Sequence, residues 1–266
     1  MIRDITLGQY YPGSSIIHRL DARLKIIVAL LFIVELFIVD NFYGFAIATA
    51  ALGIVIAIAK VPVSFIFRGL KPILIILLFT FALNIFLVKG TVLWQWHSLT
   101  ISYEGVNTAI FMAIRLILLI AGTSMLTLCT KPLELTDGIE KLLYPLSKLG
   151  VPTHEIAMMM TIALRFIPTL LEETDKIMKA QQARGADFES GNIFKKIKNL
   201  IPIIVPLFVS AFRIAMDLAM AMEARCYRGG KGRTRMNEIK YHARDYVGYL
   251  LAAAFLAVII ISAKIW

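Results

Sequence analysis

The sequence predicts an all-α, polytopic membrane protein with about five transmembrane helices and a cytosolic layer of long helices. Three observations carry that prediction. Of 266 residues, 59% are hydrophobic and only 17% are charged, and the mean hydropathy is +0.76, too apolar for a water-soluble domain of ordinary make-up. Apolar runs recur at lengths near the ~20 residues that cross ~30 Å of hydrocarbon. Lys and Arg gather on alternate connections, so the pI near 9.6 reflects membrane topology rather than a nucleic-acid surface.

The elements follow in chain order. The segment before residue 24 is polar, carries acids and lacks an apolar run, so it is not a cleaved signal peptide and the first span serves as its own address. Apolar runs occupy residues 24–39, 43–59, 70–88 and 106–129, and a fifth lies at 246–263. The first two are short and joined at Asp40 and Asn41, which suits a helical hairpin. Arg3, Arg19, Arg23 and Lys25 precede span one, and Lys60, Arg68 and Lys71 separate spans two and three, whereas the intervening turn has no Lys or Arg. The N-terminus is therefore expected in the cytosol. After span three only Lys89 is cationic, and Trp94 and Trp96 stand where an outer aromatic belt would sit. An odd number of spans then puts the C-terminus outside. Three regions result: 1–130 with four spans, 131–245 as cytosolic coupling helices, and 246–266 as the last span.

The cytosolic region reads as helices at about 133–149, 154–184 and 192–228, ended by Gly150-Val151-Pro152, Gly185 and Gly229-Gly230. None reads as an uninterrupted span. The second is apolar in its first half and charged in its second. Pro168, Pro202 and Pro206 fall inside the helical patterns, where each removes a backbone donor and favours a bend.

A weak internal repeat is the most informative motif. KAQQARGAD around Arg184 and AMEARCYRG around Arg225 align over Ala180/Ala221, Gln182/Glu223, Ala183/Ala224 and Arg184/Arg225. Small neighbours leave a guanidinium unobstructed, and its planar fork can grip a partner's carboxylate bidentately. Either arginine alone could simply complement the negative end of its helix, but repetition of the tip points to a paired contact. Met158, Met159, Met160, Met178, Met216, Met220 and Met222 lie on the same two helices. Flexible thioethers suit a surface that repacks against different partners, and equally suit gap-filling between crossing helices.

Other charged residues have local readings. Glu35 and Arg115 lie within spans and are expected to pair with each other or to snorkel outward. Arg213 and Asp217 are spaced for a local ion pair. Cys129 and Cys226 belong to no ligand cluster, and His18, His97, His154 and His242 are scattered, so no metal site or catalytic constellation emerges. The run Arg228-Gly229-Gly230-Lys231-Gly232 lacks the first glycine and the hydroxyl that a phosphate-binding P-loop needs. It reads as a solvated basic hinge near anionic headgroups. The chain is therefore expected not to be an enzyme.

With these residues the chain resembles the T component, or membrane scaffold, of energy-coupling factor transporters, a subclass of ABC importers whose hallmark is two Ala-Arg-Gly-like triplets. Ala183-Arg184-Gly185 matches in full; Ala224-Arg225-Cys226 departs at its third position. Gly8-Gln9-Tyr10, Pro12, Ser15, His18, Leu20-Asp21, Arg23 and Lys25 extend the match. So does Leu164-Arg165-Phe166-Ile167-Pro168 with Glu172 and Glu173, so that nearly the whole chain is covered. Asp21-Ala22-Arg23 stands where the family usually has Asp-Pro-Arg.

The resemblance implies a multi-pass cell-membrane protein that binds no cofactor itself and couples two cytosolic ABC-type ATPase subunits, the users of ATP and Mg2+, to a separate small membrane S subunit. That S subunit would bind the substrate, a vitamin or a transition-metal ion. Arg184 and Arg225 would enter the ATPases, with Ala183, Gly185, Ala224 and Cys226 allowing close approach. Met158, Met159, Met160, Met178, Met216 and Met220 are candidates for the surface facing the S subunit. The alternative is a secondary transporter or channel, which would need a polar route through spans that offer little beyond Glu35, Asn84 and Arg115.

Overall fold

A computed structural model describes residues 10–96, 99–186, 188, 193–229 and 240–265. Arg3, Gly8, Gln9, His97, Gly230, Lys231 and Gly232, all invoked above, lie outside the described residues. Helix α1, Ala22–Ile38, begins on Asp21, whose carboxylate accepts the Arg23 N–H at 2.8 Å and holds the Arg23 guanidinium at 2.7 Å. This clamp fixes the start of the helix without the proline of the usual motif. Helix α2, Phe42–Ala59, begins on Asn41, whose side-chain oxygen accepts the Gly44 N–H at 2.8 Å.

The third predicted run is divided. Pro62 precedes a short α3, Val63–Leu70; a single 3-10 turn, Lys71–Ile73, carries Pro72; then α4 runs Leu74–Leu87. A two-stranded antiparallel hairpin follows, β1 Val92–Trp96 with β2 Leu99–Ser102. Ser102 caps α5, Tyr103–Cys129, by accepting the Gly105 N–H at 3.0 Å. The expected helix over 133–149 is α6, Pro132–Leu143, continued by a 3-10 segment Tyr144–Leu149. Pro145 supplies no N–H for a further α-turn, so the helix tightens there. The remaining helices are α7, Thr153–Ala183, α8, Ile193–Ala224, and α9, Ala243–Ile265.

Among the described residues, six helical stretches are long and apolar enough to cross a membrane: Phe42–Ala59, Val63–Leu87, Tyr103–Cys129, Thr153–Ala183, Lys198–Ala224 and Ala243–Ser262. Helix α1, with 17 residues, sits at the short end of what the hydrocarbon requires. The set takes in α7 and most of α8, which the sequence reading assigns to the cytosol.

The chain divides into two compact units. One holds residues 8–142 and 238–266. Here α5 is the hub, packed by α1, α2, α3 and α4, while α9 packs on α1 and α2. Helices α1, α5, α2 and α9 thereby form a ring in which each touches two neighbours. Leu36, Phe45, Leu52, Leu118, Met125, Leu128 and Ile259 form its core. Apolar side chains gain little by leaving lipid, so such helices hold together through close packing. A β-carbon on Gly122 would come within 2.6 Å of the Phe32 ring, and one on Gly248 within 2.5 Å of Leu24. The other unit holds the described residues of 143–237. Its two long helices run antiparallel, because Met158, Glu173 and Gln181 of α7 meet Tyr227, Ser210 and Pro202 in reverse order.

Candidate functional site

Helices α7 and α8 end in the same backbone figure. After Ala183 the Arg184 N–H donates to Ala180 at 3.3 Å, Gly185 to Gln182 at 2.9 Å and Ala186 to Gln181 at 3.0 Å. After Ala224 the Arg225 N–H donates to Ala221 at 3.3 Å, Cys226 to Glu223 at 2.8 Å and Tyr227 to Met222 at 3.0 Å. Both are complete Schellman endings, which need a left-handed residue just past the cap. Gly185 has φ 88° and Cys226 has φ 55°. The cysteine that departs from the triplet thus occupies the same left-handed position as the glycine.

Backbone N–H groups satisfy the Gln181, Gln182, Met222 and Glu223 carbonyls, so no guanidinium is needed to cap these four. Arg184 and Arg225 are exposed, as are Ala183, Gly185, Ala224 and Cys226. Among the described residues neither arginine has a salt bridge. Each tip is a free planar donor beside small residues.

The tips do not lie together. Gln181 meets Pro202, so Arg184 stands level with the early part of α8. From there to Arg225 the helical rise amounts to about 35 Å. The arrangement presents one arginine at each end of the antiparallel pair.

The methionines divide. Met216 and Met220 are exposed and continue a stripe on α8 with Ile201, Val205, Phe208 and Phe212. Met159 is exposed on α7, whereas Met160, Met178 and Met222 are half-buried. Met158 is committed internally, its sulfur accepting the Tyr227 hydroxyl at 3.0 Å, which ties the Arg225 tip to the start of α7. Phe208 and Phe212 are the large exposed residues that attention to methionine passed over; their spacing from Val205 and Met216 was the available signal. An exposed apolar stripe of this extent marks a surface for a protein or for lipid.

Glu35 and Arg115 do not pair. The Arg115 guanidinium donates to the Val39 carbonyl at 2.7 Å and to Asp40 at 2.9 Å, at the turn after α1. Glu35 is buried. The N-terminal motif residues build a local knot. Ser15 lies 2.7 Å from His18 Nδ1, and His18 Nε2 lies 3.1 Å from the Tyr11 carbonyl. That carbonyl can only accept, so Nε2 carries the proton; burial pushes the imidazole below its usual pKa and favours this neutral form. Among the described residues no three His, Cys, Asp or Glu side chains are placed to share a metal ion.

Comparison with known proteins gives a consistent result. The cobalt transport protein family, CbiQ, matches residues 13–236. The energy-coupling factor transporter transmembrane protein EcfT of Clostridium kluyveri is 59% identical over 268 residues, covering 100% of this chain and 99% of that protein. The EcfT of Ruminiclostridium cellulolyticum is 53% identical over 261 residues, with 98% of each chain covered. That of Bacillus subtilis is 46% identical over 260 residues, covering 96% of this chain and 98% of its own.

Proposed function

Because the chain belongs to the CbiQ family of cobalt transport proteins, and aligns end to end with EcfT transmembrane proteins, we propose that it is the membrane scaffold of an ATP-driven micronutrient importer. It is a multi-pass, non-catalytic subunit that transmits conformational change. Arg184 and Arg225 each enter one of two cytosolic ATPase subunits, and a separate membrane S subunit holds the substrate. The observation that supports this most is the pair of matching helix ends, each with an uncommitted arginine, separated by about 35 Å. Two motors that approach and part could then drive the two ends of one rigid hairpin. The exposed α8 stripe through Phe208, Phe212, Met216 and Met220 supports a partner that changes its seat on a smooth, adaptable surface, as the S subunit must. The N-terminus and both tips lie in the cytosol and the C-terminus outside, with residues 131–245 as the coupling layer.

The test is charge reversal at the tips in the assembled transporter. Losing one partner of a desolvated charge pair costs about 2–5 kcal/mol. The double variant Arg184→Glu/Arg225→Glu should therefore no longer co-purify with the ATPases, while its yield in the membrane stays that of the parent. Normal assembly and uptake in that variant would end the proposal.

A further inference from the structure

Helices α1, α2, α5 and α9 wall a half-open groove of about 720 Å³. Its lining is almost wholly apolar. Ala29, Ala51 and Ala252 keep the wall low on α1, α2 and α9, while Ile54 and Leu251 of the same lining are exposed. Small residues let a second membrane helix approach closely, and close packing supplies the attraction that leaving lipid does not.

Three charged residues reach the groove: Lys25, Arg244 and Glu35. The Lys25 end is already balanced. Lys25 Nζ donates to the His18 and Cys129 carbonyls at 3.0 and 2.9 Å, and the carboxylates of Glu134, Asp21 and Asp245 offset its charge. Arg244 is exposed. Glu35 is different. It is 3% exposed, lines the groove, and has neither a hydrogen bond nor a salt bridge among the described residues. Arg115, at the same end of α1, is committed to the Val39 carbonyl and Asp40 at 2.7 and 2.9 Å. The rise along α1 puts Glu35 about 15 Å from Lys25 and about 5 Å short of the helix end at Ile38.

A carboxyl left bare in an apolar wall is costly, and an ionisable residue inside a span is ordinarily paired. An acyl chain would fill the walls but meet Glu35 with methylenes. A helix fills the same walls and holds a side chain at a fixed depth. We propose that the groove receives one transmembrane helix of another membrane protein, apolar along its length and carrying a single basic side chain that meets Glu35. The small wall residues set how closely that helix seats, and Glu35 sets its register. This contact involves neither Arg184 nor Arg225, so its failure would leave the coupling role of the tips standing.

The test places the purified full chain, dye-labelled at the exposed Cys226, in phosphatidylcholine vesicles. Two acceptor-labelled leucine-alanine transmembrane peptides of about 22 residues are titrated against it, one plain and one with a lysine a turn from its end. Energy transfer should show the lysine peptide binding about tenfold more tightly, the effect of one charge-assisted contact. Glu35→Leu should erase that preference. Ala252→Phe, which fills the groove from α9, should weaken lysine-peptide binding about tenfold through lost packing. Equal binding of the two peptides to the parent, a preference that survives Glu35→Leu, or undiminished lysine-peptide binding to a folded Ala252→Phe would each overturn the proposal. So would exclusion of both peptides, the result expected of a groove kept filled by lipid or by a second copy of the chain.

Discussion

A side chain at φ 55° carries a conformational cost that glycine does not, about 1–2 kcal/mol for an L-residue in the left-handed region. Cys226 bears that cost and Gly185 avoids it, although the two sit at the same place in matching helix ends. Exchanging them should therefore act in opposite directions. Cys226→Gly should strengthen the α8 ending by about 1 kcal/mol, and Gly185→Cys should weaken the α7 ending by a similar amount, roughly fivefold in each local opening equilibrium. Hydrogen exchange at the amides of residues 226, 227, 185 and 186 reads both; shifts of the same sign would mean that the endings are not equivalent. The repeat itself was legible, because alanines and arginines align. The turn at Cys226 was not, since nothing in a cysteine favours a left-handed backbone, and the reading carried the helix on toward Gly229. Of the two readings of Arg115, pairing with Glu35 fails and snorkelling toward the end of the span fits, because the turn after α1 brings Asp40 and the Val39 carbonyl to its guanidinium.

Helix α8 continues through Pro202 and Pro206, and each proline leaves a carbonyl without its helical donor. For Pro206 that carbonyl belongs to Pro202, and the structure supplies a substitute: Gln181 Nε2 of α7 donates to it at 3.3 Å. A defect in one helix thus becomes a link to the other, close to the Arg184 tip. Gln181→Met should cost about 1 kcal/mol of α7–α8 stability, the usual worth of such a hydrogen bond. In a Pro206→Ala background the helix regains its own N–H donor, so the same change should cost almost nothing. Equal costs in the two backgrounds, measured by thermal unfolding of the purified chain, would break the link. Hydropathy gave away the long helices within a few residues because span length and apolar content are local properties. The Val92–Ser102 hairpin and the short α3 were missed, the first because a loop of that length was read only for topology, the second because Pro72 is accommodated in a 3-10 turn. No local pattern could reveal the Gln181–Pro202 bond, which depends on register between two helices.

Topology is the property of the whole molecule on which the tips depend, and length and composition alone leave it open, since α7 and most of α8 both qualify as spans. Parity offers no help, because crossing by both or by neither leaves the C-terminus on the same side. Antiparallel packing does help. If the pair crossed the bilayer, the roughly 35 Å between Arg184 and Arg225 would exceed the hydrocarbon thickness and put the tips on opposite faces. If the pair lies along the cytosolic surface, both tips share one face. Charge favours the second arrangement. The latter half of α7 carries Glu172, Glu173, Asp175, Lys176 and Lys179, and each charge at the bilayer centre costs about 2.5–3.5 kcal/mol even on insertion scales. The chain contains its own reporter, since Cys226 at the second tip is exposed while Cys129 is buried. A membrane-impermeant maleimide should label Cys226 in inverted vesicles and not in right-side-out ones. Ala183→Cys in a Cys226→Ser background should behave identically. Labelling of the two tips from opposite faces would establish α7 and α8 as spans and leave no way for both arginines to reach cytosolic ATPases.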